Sequence, residues 1–293
     1  MVLFAATCWG LSGTASQVLF QHDHFHSAWL VTIRMLFSGI VLVIWGMLRK
    51  DSATRALIRQ PRYWPSLLLF SVVGLLGVQY TYFKAIAAGN AASATLLQYL
   101  GPPMIVAYTA LSARRSPSRT AWLAMALALL GTILLVTGGH FSRLAVPWPA
   151  VVWGIASALC LAFYTLYPTS LLRQFDSIAV VGWGMTIGGI ASLSIGPVWT
   201  LSLGQWSLSA TLLVGFVVLL GTLAAFSLFL ASLHYLTPPE AGLLASAEPV
   251  SAVLAALMFL HVHMDSLAIA GAAAIVMAII QLSRSNRASI PRH

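Results

Sequence analysis

Two pairs of polar side chains recur within strongly apolar stretches of the sequence. Gln79 lies three residues before Tyr82, and Thr95 lies four residues before Tyr99, so each pair shares one face of a helix. Amide, phenol and hydroxyl groups bind ammonium and carboxylate groups without a fixed charge, while the rings contact an apolar side chain. These residues predict a binding site for a small neutral zwitterion. The alternative is that they only join helices by hydrogen bonds, each worth about 0.6 to 2 kcal/mol in a membrane.

Three ionisable residues also lie inside apolar stretches, where an isolated charge costs several kcal/mol. Arg34 and Lys84 lie near one end of their stretches, so we expect both long side chains to snorkel toward the membrane surface. Glu248 lies about 10 Å inside its stretch at the rise of an α-helix, and direct pairing with either cation is not expected. Pro249 removes a backbone donor beside it, so we interpret Glu248 as a structural or gating residue, with proton coupling as the alternative.

Two other chemistries are weighed against a transport site. Ser12 in the sequence GLSG resembles the nucleophile segment of rhomboid-type intramembrane proteases, but it needs a histidine base, for which His234 is the candidate. Histidines and one aspartate in predicted loops are suitable metal ligands: His22, His24, His26, His140, His261, His263 and Asp265. An intramembrane hydrolase and a divalent metal-ion exporter therefore remain alternatives. The sequence itself predicts no metal site, no cofactor and no enzyme activity.

The composition determines the environment of these residues. Of 293 residues, 59% are hydrophobic and 7% are charged, and the mean hydropathy is +0.90. The charged fraction is about a quarter of that usual in soluble domains, so a water-soluble fold is excluded. The formal net charge of +9 is spread along the flanks of apolar segments and forms no patch with interleaved aromatics, so we expect no nucleic-acid partner.

Apolar runs bounded by charges, proline, glycine or polar clusters predict ten transmembrane helices. The predicted spans are residues 2–20, 28–48, 66–88, 91–112, 121–138, 151–172, 178–199, 210–233, 241–260 and 267–282. They are continuous runs rather than the short alternating segments of a membrane β-barrel, so the fold class is an all-α polytopic membrane protein.

The basic residues outside these spans are distributed asymmetrically. Loops and tail on the side of the N-terminus hold twelve lysines and arginines, whereas the opposite side holds only Arg143. Positively charged loops stay in the cytoplasm, so both termini are predicted to be cytoplasmic.

An internal repeat relates the two halves of the chain. Leu96, Leu97 and Pro102 recur as Leu243, Leu244 and Pro249, at an offset of 147 residues. The offset corresponds to five helices, and an odd shift inverts each helix across the bilayer. Residues 1–140 and 141–293 are therefore predicted to form two inverted five-helix repeats, with the substrate site at their interface.

The repeat sets Ser246 opposite Tyr99, and Trp9 and Tyr164 join the candidates on aromatic character and depth. The predicted substrate-binding set is Trp9, Gln79, Tyr82, Tyr99, Tyr164 and Ser246, and the predicted structural or gating set is Arg34, Lys84, Pro102, Glu248 and Pro249.

The chain resembles the drug/metabolite transporter superfamily of the EamA type, and within it the bacterial amino-acid exporters. The resemblance rests on CWGLSG, on Arg34 in TIRMLFSG, on YTYFKAIAAGNAASATLLQYLGPP and on PPEAGLLASAEPVSAVLAAL, in this order and spacing. It implies a secondary transporter in the bacterial cytoplasmic membrane that exports neutral or aromatic amino acids, or similar small metabolites, by alternating access. Its partners would be this small substrate and the lipid bilayer; the oligomeric state is left open, and a monomer is compatible with it. The Leu-Gly-Glu pattern that often ends the fourth and ninth helices is replaced here by LSARR and FLHVH, so no role of that glutamate carries over.

Overall fold

In the computed structural model, all regular secondary structure of the described residues is helical. The described residues are 1–49, 52–114, 116–138, 145–195, 206–232, 235–236, 241, 244–262 and 264–288, with the side chains of 52–53 and 283–288 left aside. The helices are α1 (Val2–Gln21), α2 (Ser27–Leu48), α3 (Ser52–Arg59), α4 (Pro61–Ala88), α5 (Ala91–Gln98), α6 (Gly101–Ser112), α7 (Arg119–Thr137), α8 (Trp148–Leu172), α9 (Ser177–Ser192), α10 (Leu208–Ser232), α11 (Ala247–Leu260) and α12 (Ser266–Ala288).

Six helices of the described part are long and apolar enough to cross a membrane: α1, α2, α4, α7, α8 and α10. Three shorter helices, α9, α11 and the apolar portion of α12, are also apolar along their length. Large apolar side chains cover the outer surface; Leu130, Leu212 and Phe259 are 58%, 65% and 66% exposed. An outer surface of this kind suits lipid rather than water. The structure is thus consistent with a polytopic membrane protein.

The predicted span 91–112 is not one continuous helix, which corrects the sequence expectation. Asn90 caps the start of α5, its side chain accepting a hydrogen bond from the Ser93 amide. The helix ends before a turn at Tyr99 and Leu100, and α6 restarts at Gly101 with prolines in its first turn. Proline lacks an amide donor and is tolerated only in the first turn of a helix, so Pro102 and Pro103 set the restart.

Widened π-helical turns occur inside two long helices. One covers Phe70–Leu76 within α4, and the other covers Phe216–Ala224 within α10. Such turns are rare and tend to lie at functional sites. Both segments precede cavity-lining residues of the same helix.

Close contacts between small residues hold helix pairs together. A Cβ atom built on Gly131 of α7 would lie 2.6 Å from the carbonyl oxygen of Gly271 in α12, and one on Gly271 would lie 2.5 Å from that of Gly131. The two backbones therefore touch, as small residues permit in membrane helices. The largest core cluster lies elsewhere, where α1, α2, α4, α9 and α10 pack around residues such as Leu30, Met35 and Phe83, all fully buried.

Candidate functional site

A cavity of about 600 Å³ lies at the centre of the helix bundle. It has the size of a small-molecule site and mainly aromatic and aliphatic walls. Five of the six predicted substrate-binding residues line it: Trp9, Gln79, Tyr82, Tyr99 and Tyr164. Arg34, Pro102 and Glu248, which we predicted to be structural or gating residues, line it as well.

Tyr99 connects two helices at the floor of the cavity. Its hydroxyl lies 2.8 Å from Glu248 Oε2 and 3.1 Å from the carbonyl oxygen of Ala245, so one proton is shared between two acceptors. The carboxylate of Glu248, in the first turn of α11, thus contacts Tyr99 at the end of α5. This contact joins the two interrupted regions of the fold, near Tyr99 and near Ser246.

Tyr82 extends the same wall away from Glu248. Its hydroxyl is hydrogen-bonded to Thr95 Oγ1 at 2.8 Å, and Thr95 in turn donates to the carbonyl oxygen of Ala91. The Tyr82 ring also lies beside the ring of Phe83, with centroids 5.7 Å apart. Phe83 and Thr95 are fully buried behind the cavity lining, and Thr95 lies one helical turn before Tyr99, so these contacts support Tyr82 and Tyr99 from behind.

Arg34 does not snorkel, contrary to expectation. Its side chain is 6% exposed, lines the cavity, and its guanidinium carbon lies 4.7 Å from the centre of the Phe83 ring. A guanidinium over an aromatic face is attracted by the ring quadrupole, which favours this inward orientation. Lys84 lies outside the cavity lining; it is half-buried, with Nζ 5.6 Å from the centre of the Tyr80 ring.

Several buried polar atoms on the cavity wall have no hydrogen-bond partner among the described residues. They are Nε1 of Trp9, Nε of Arg34, and both amide atoms of Gln79. A buried donor or acceptor left unpaired costs about 1 to 3 kcal/mol, so such a group in a native protein calls for an explanation.

Besides Lys84, two further predicted residues lie away from the cavity wall. Ser246 is buried in the turn just before α11, and Pro249 is buried in the first turn of that helix. The contacts of Tyr99 with this region are made by Ala245 and Glu248. The offset between repeats predicts how deep a residue lies along its helix. It does not predict which side of the helix faces the cavity.

Other lining residues were missed by sequence reasoning. Phe226 and Phe229 of α10 hold the Trp9 ring, with centroids 5.2 Å and 5.4 Å from it. Gln98 lines the cavity and donates to Ser157 Oγ at 2.7 Å. The offset of 147 that relates the repeats pairs Gln79 with Phe226, Tyr82 with Phe229, and Gln98 with Ala245, so the signal was present in the sequence.

The cavity lies toward the end of the bundle where α8 and α10 end. Thr165 near the end of α8 and Leu230 near the end of α10 both line it. The opposite end is closed by packing and by hydrogen bonds. Gln17 accepts from the Ala91 amide at 2.8 Å and donates to Gln21, which donates to the Gly89 carbonyl oxygen at 2.6 Å. Leu19 and Ile86 are fully buried at this closed end.

The residues of the two alternative chemistries are only partly described. Ser12 lines the cavity and packs against Gly221, whereas its candidate base His234 lies outside the described residues. His22 lies 2.9 Å from Asp23. His140 and His263 lie outside the described residues, and the described remainder contains no group of three His, Cys, Asp or Glu residues that could hold a metal ion.

The helical fold and central cavity define a class, a multi-pass membrane protein with a small-molecule site, and the comparisons with known proteins give the family. The model of the EamA-like transporter family matches residues 1–137 and 148–284. The chain belongs to this family, and it is an inner membrane transporter of the drug/metabolite superfamily. This assignment does not favour the hydrolase or the metal-ion exporter.

Two relatives and one solved structure cover nearly the whole chain. The uncharacterized inner membrane transporter YicL of Salmonella typhimurium is 37% identical over 288 residues, covering 98% of this chain and 95% of that protein. The uncharacterized transporter YwfM of Bacillus subtilis is 25% identical over 295 residues, covering 98% and 93%. A crystal structure with 19% identity covers 97% of this chain and 99% of the other, with a TM-score of 0.61, and supports the fold alone.

Proposed function

We propose that this protein exports amino acids, or similar small metabolites, across the cytoplasmic membrane by alternating access. The observation that carries the proposal is the central cavity with unpartnered polar atoms of Trp9, Arg34 and Gln79 among aromatic walls. Neutral amino acids combine polar ends with an apolar side chain, and this wall offers partners for both. The substrate-binding set is proposed to be Trp9, Gln79, Tyr82, Tyr99 and Tyr164, with Ser246 supporting the turn that faces them.

The proposed architecture is ten membrane-spanning segments in two inverted repeats, residues 1–140 and 141–293. Several paired features support it. The π-helical segments begin at Phe70 and Phe216, which differ by 146 positions, and the turns at Tyr99 and Ser246 differ by 147. The family model also matches one stretch in each half.

The helix contacts support the same symmetry. Packing of α4 on α8 corresponds to packing of α10 on α1 after a shift of five segments, and the contacts of α5 and α6 with α8 correspond to that of α11 with α1. Two pairs, α2 with α9 and α7 with α12, map onto themselves. Transporters with inverted repeats bind substrate near the midplane and alternate by moving one repeat against the other.

Alternating access is proposed to use the two ends of the cavity. In this structure the lining extends toward the predicted cytoplasmic side, while Gln17 and Gln21 bridge α1 to the segment between α4 and α5 on the other side. Opening outward breaks these few hydrogen bonds, each of modest net strength. These few hydrogen bonds can keep this end of the cavity closed and still break when the protein opens outward.

Transport and site can be tested together in proteoliposomes. We expect labelled L-phenylalanine or L-leucine to cross without covalent change, and Gln79→Ala and Tyr99→Ala to lower the rate at least about tenfold at equal amounts of folded protein, since each removes a cavity contact worth about 1.4 kcal/mol or more. Tyr108→Ala is the matched control, because Tyr108 lies on α6 with its side chain 60% exposed. Normal transport by both cavity variants would locate the site elsewhere, and absence of any amino-acid flux in the wild type would contradict the proposed function.

A further inference from the structure

We propose that Arg34 and Glu248 bind the two charged ends of the substrate, Arg34 its carboxylate and Glu248 its ammonium group. The ligand is then a small zwitterion with an apolar or aromatic body. This inference rests on the proposed transport function and deepens it, because it moves both residues from a structural or gating role to direct recognition.

Arg34 carries the first half of the proposal. Arg34 is only 6% exposed, and it lines the cavity. It has no hydrogen bond or ion pair with a described residue, and its Nε is buried without a partner. Burying a charge costs several kcal/mol, and no described carboxylate lies within 4 Å of this guanidinium to offset that cost by direct pairing. A carboxylate matches its fork of donors in a bidentate manner.

Glu248 carries the second half. Its Oε2 atom accepts from the Tyr99 hydroxyl at 2.8 Å, which fixes the orientation of the carboxylate on the cavity wall. Oε1 has no hydrogen bond with a described residue, so it remains available as an acceptor. An ammonium group has three donors and no acceptor, and the Glu248 carboxylate and the Tyr99 phenol oxygen are both suitable acceptors for it.

The two charges do not neutralise each other directly. Within the described part of the chain, the ion pair within 4 Å is His22 with Asp23, and Arg34 and Glu248 form none. Tyr82 and Tyr99 line the cavity together with these two residues. A ligand with one positive and one negative end compensates both charges at once, whereas a ligand with a single charge leaves the other one unpaired.

The remaining walls select the body of the ligand. Trp9 packs against Phe226 and Phe229, and Tyr164 stacks on Phe70 with centroids 5.6 Å apart. These rings form a rigid apolar surface beside the polar wall. An aromatic or branched aliphatic side chain fits this surface, while a second charge on the side chain would have no partner there.

The wild-type protein in lipid nanodiscs gives the first test. Displacement of labelled L-phenylalanine is measured with unlabelled L-phenylalanine, L-leucine, phenethylamine, which lacks the carboxylate, and 3-phenylpropionate, which lacks the amino group. We expect both one-ended analogues to bind at least about tenfold more weakly than phenylalanine, the equivalent of about 1.4 kcal/mol. Equal binding of either analogue, or no binding of phenylalanine and leucine, would overturn the inference.

Two variants then assign the ends. Arg34→Gln should weaken the binding of phenylalanine and 3-phenylpropionate at least about tenfold while leaving the binding of phenethylamine nearly unchanged. Glu248→Gln should weaken the binding of phenylalanine and phenethylamine by a similar factor while leaving that of 3-phenylpropionate nearly unchanged. Arg62→Gln and Asp265→Asn, which change charges outside the cavity lining, are the matched controls. Size-exclusion profiles verify that each variant is folded; if one is not, the wild-type analogue series still decides.

Flux separates this inference from the function on which it rests. Phenylalanine transport by a wild type that binds one-ended analogues equally well would overturn the role of the two charges and leave the transport proposal standing. Two-ended selectivity in binding, without flux of phenylalanine or leucine in proteoliposomes, would retain the site and contradict the export function.

Discussion

Tyr99 shows how one side chain can serve both the fold and the site. Its hydroxyl is shared between Ala245 and Glu248, and thereby joins the end of α5 to the turn before α11. Helix ends leave backbone groups without partners inside the helix, and a membrane interior tolerates such groups only where protein satisfies them. Tyr99 supplies one such contact while its ring faces the cavity.

Removal of this hydroxyl should therefore reduce stability. We expect Tyr99→Phe to lower the free energy of unfolding by about 0.6 to 2 kcal/mol, the range for hydrogen bonds between membrane helices. Tyr164→Phe is the matched control, because the Tyr164 hydroxyl has no hydrogen bond with a described residue and its ring stacking on Phe70 is retained. Thermal unfolding in detergent measures both. Equal stability of the two variants would show that the shared proton contributes nothing.

At the residue scale, helical spacing predicted which side chains share a face, whereas the direction of a long side chain depended on neighbours from other helices. Helical spacing brought Gln79 and Tyr82 to one face, and both line the cavity. The same reasoning failed for Arg34, because depth along a helix allows both snorkelling and inward packing. The choice depends on Phe83 of a different helix, which offers its ring to the guanidinium.

At the scale of helices, small residues determine which helices approach most closely. Gly131 of α7 and Gly271 of α12 place each backbone against the other, with no room for a Cβ on either side. This contact supports the fifth and tenth predicted spans as one packed pair, a packing mode typical of membrane helices. By contrast, a Cβ on Gly215 of α10 would meet nothing within 4 Å.

Gly131 and Gly215 make a matched pair for mutation. Gly131→Ala forces the helices apart, and we expect a loss of about 1 to 3 kcal/mol of stability, as for overpacked cores. Gly215→Ala adds the same methyl group in open space, so stability should be unchanged or raised by up to about 1 kcal/mol through helix propensity. Thermal unfolding of both variants, measured under the same detergent conditions, makes the comparison. A Gly131→Ala variant as stable as Gly215→Ala would contradict the close α7–α12 contact.

The interruptions of the helices were the least predictable feature at this scale. Hydropathy marked residues 91–112 as one span, because Tyr99 and Leu100 are as compatible with a membrane as their neighbours. The break follows from Pro102 and Pro103, which have no amide hydrogen to donate to the preceding turn. Likewise, no local signal distinguishes the π-helical turn at Phe70–Leu76 from an ordinary helical turn.

At the scale of the whole molecule, hydropathy predicted the membrane class and most helix positions. The predicted span 2–20 became Val2–Gln21, and 28–48 became Ser27–Leu48. The bilayer thickness sets the length of each apolar run, so membrane-spanning segments can be recognised in the sequence. The packing of these helices around a cavity cannot be recognised in this way, because a helix that is apolar on all sides gives no indication of the side that faces protein. The rotation of each helix was therefore known only after the packing was.

Orientation in the membrane is the whole-molecule property that most affects the proposed direction of transport. The twelve-to-one distribution of basic residues predicts that the loop before α7 faces the cytoplasm and the segment before α10 faces outward. Single cysteines at Ser116 and Ser209 report on these two sites, because both side chains are exposed. Ser27, although predicted to be external, is only 6% exposed and makes a poor reporter.

In a background with Cys8 and Cys160 replaced by alanine, we expect Ser209→Cys to react with a membrane-impermeant maleimide in intact cells. Ser116→Cys should react only after the membrane is permeabilised, because the reagent cannot reach the cytoplasm. With this orientation the cavity residue Thr165 lies on the cytoplasmic half, where the proposed export function requires substrate to enter. Labelling of Ser116→Cys but not Ser209→Cys in intact cells would invert the topology, and the same cavity would then face outward, in the position expected of an importer.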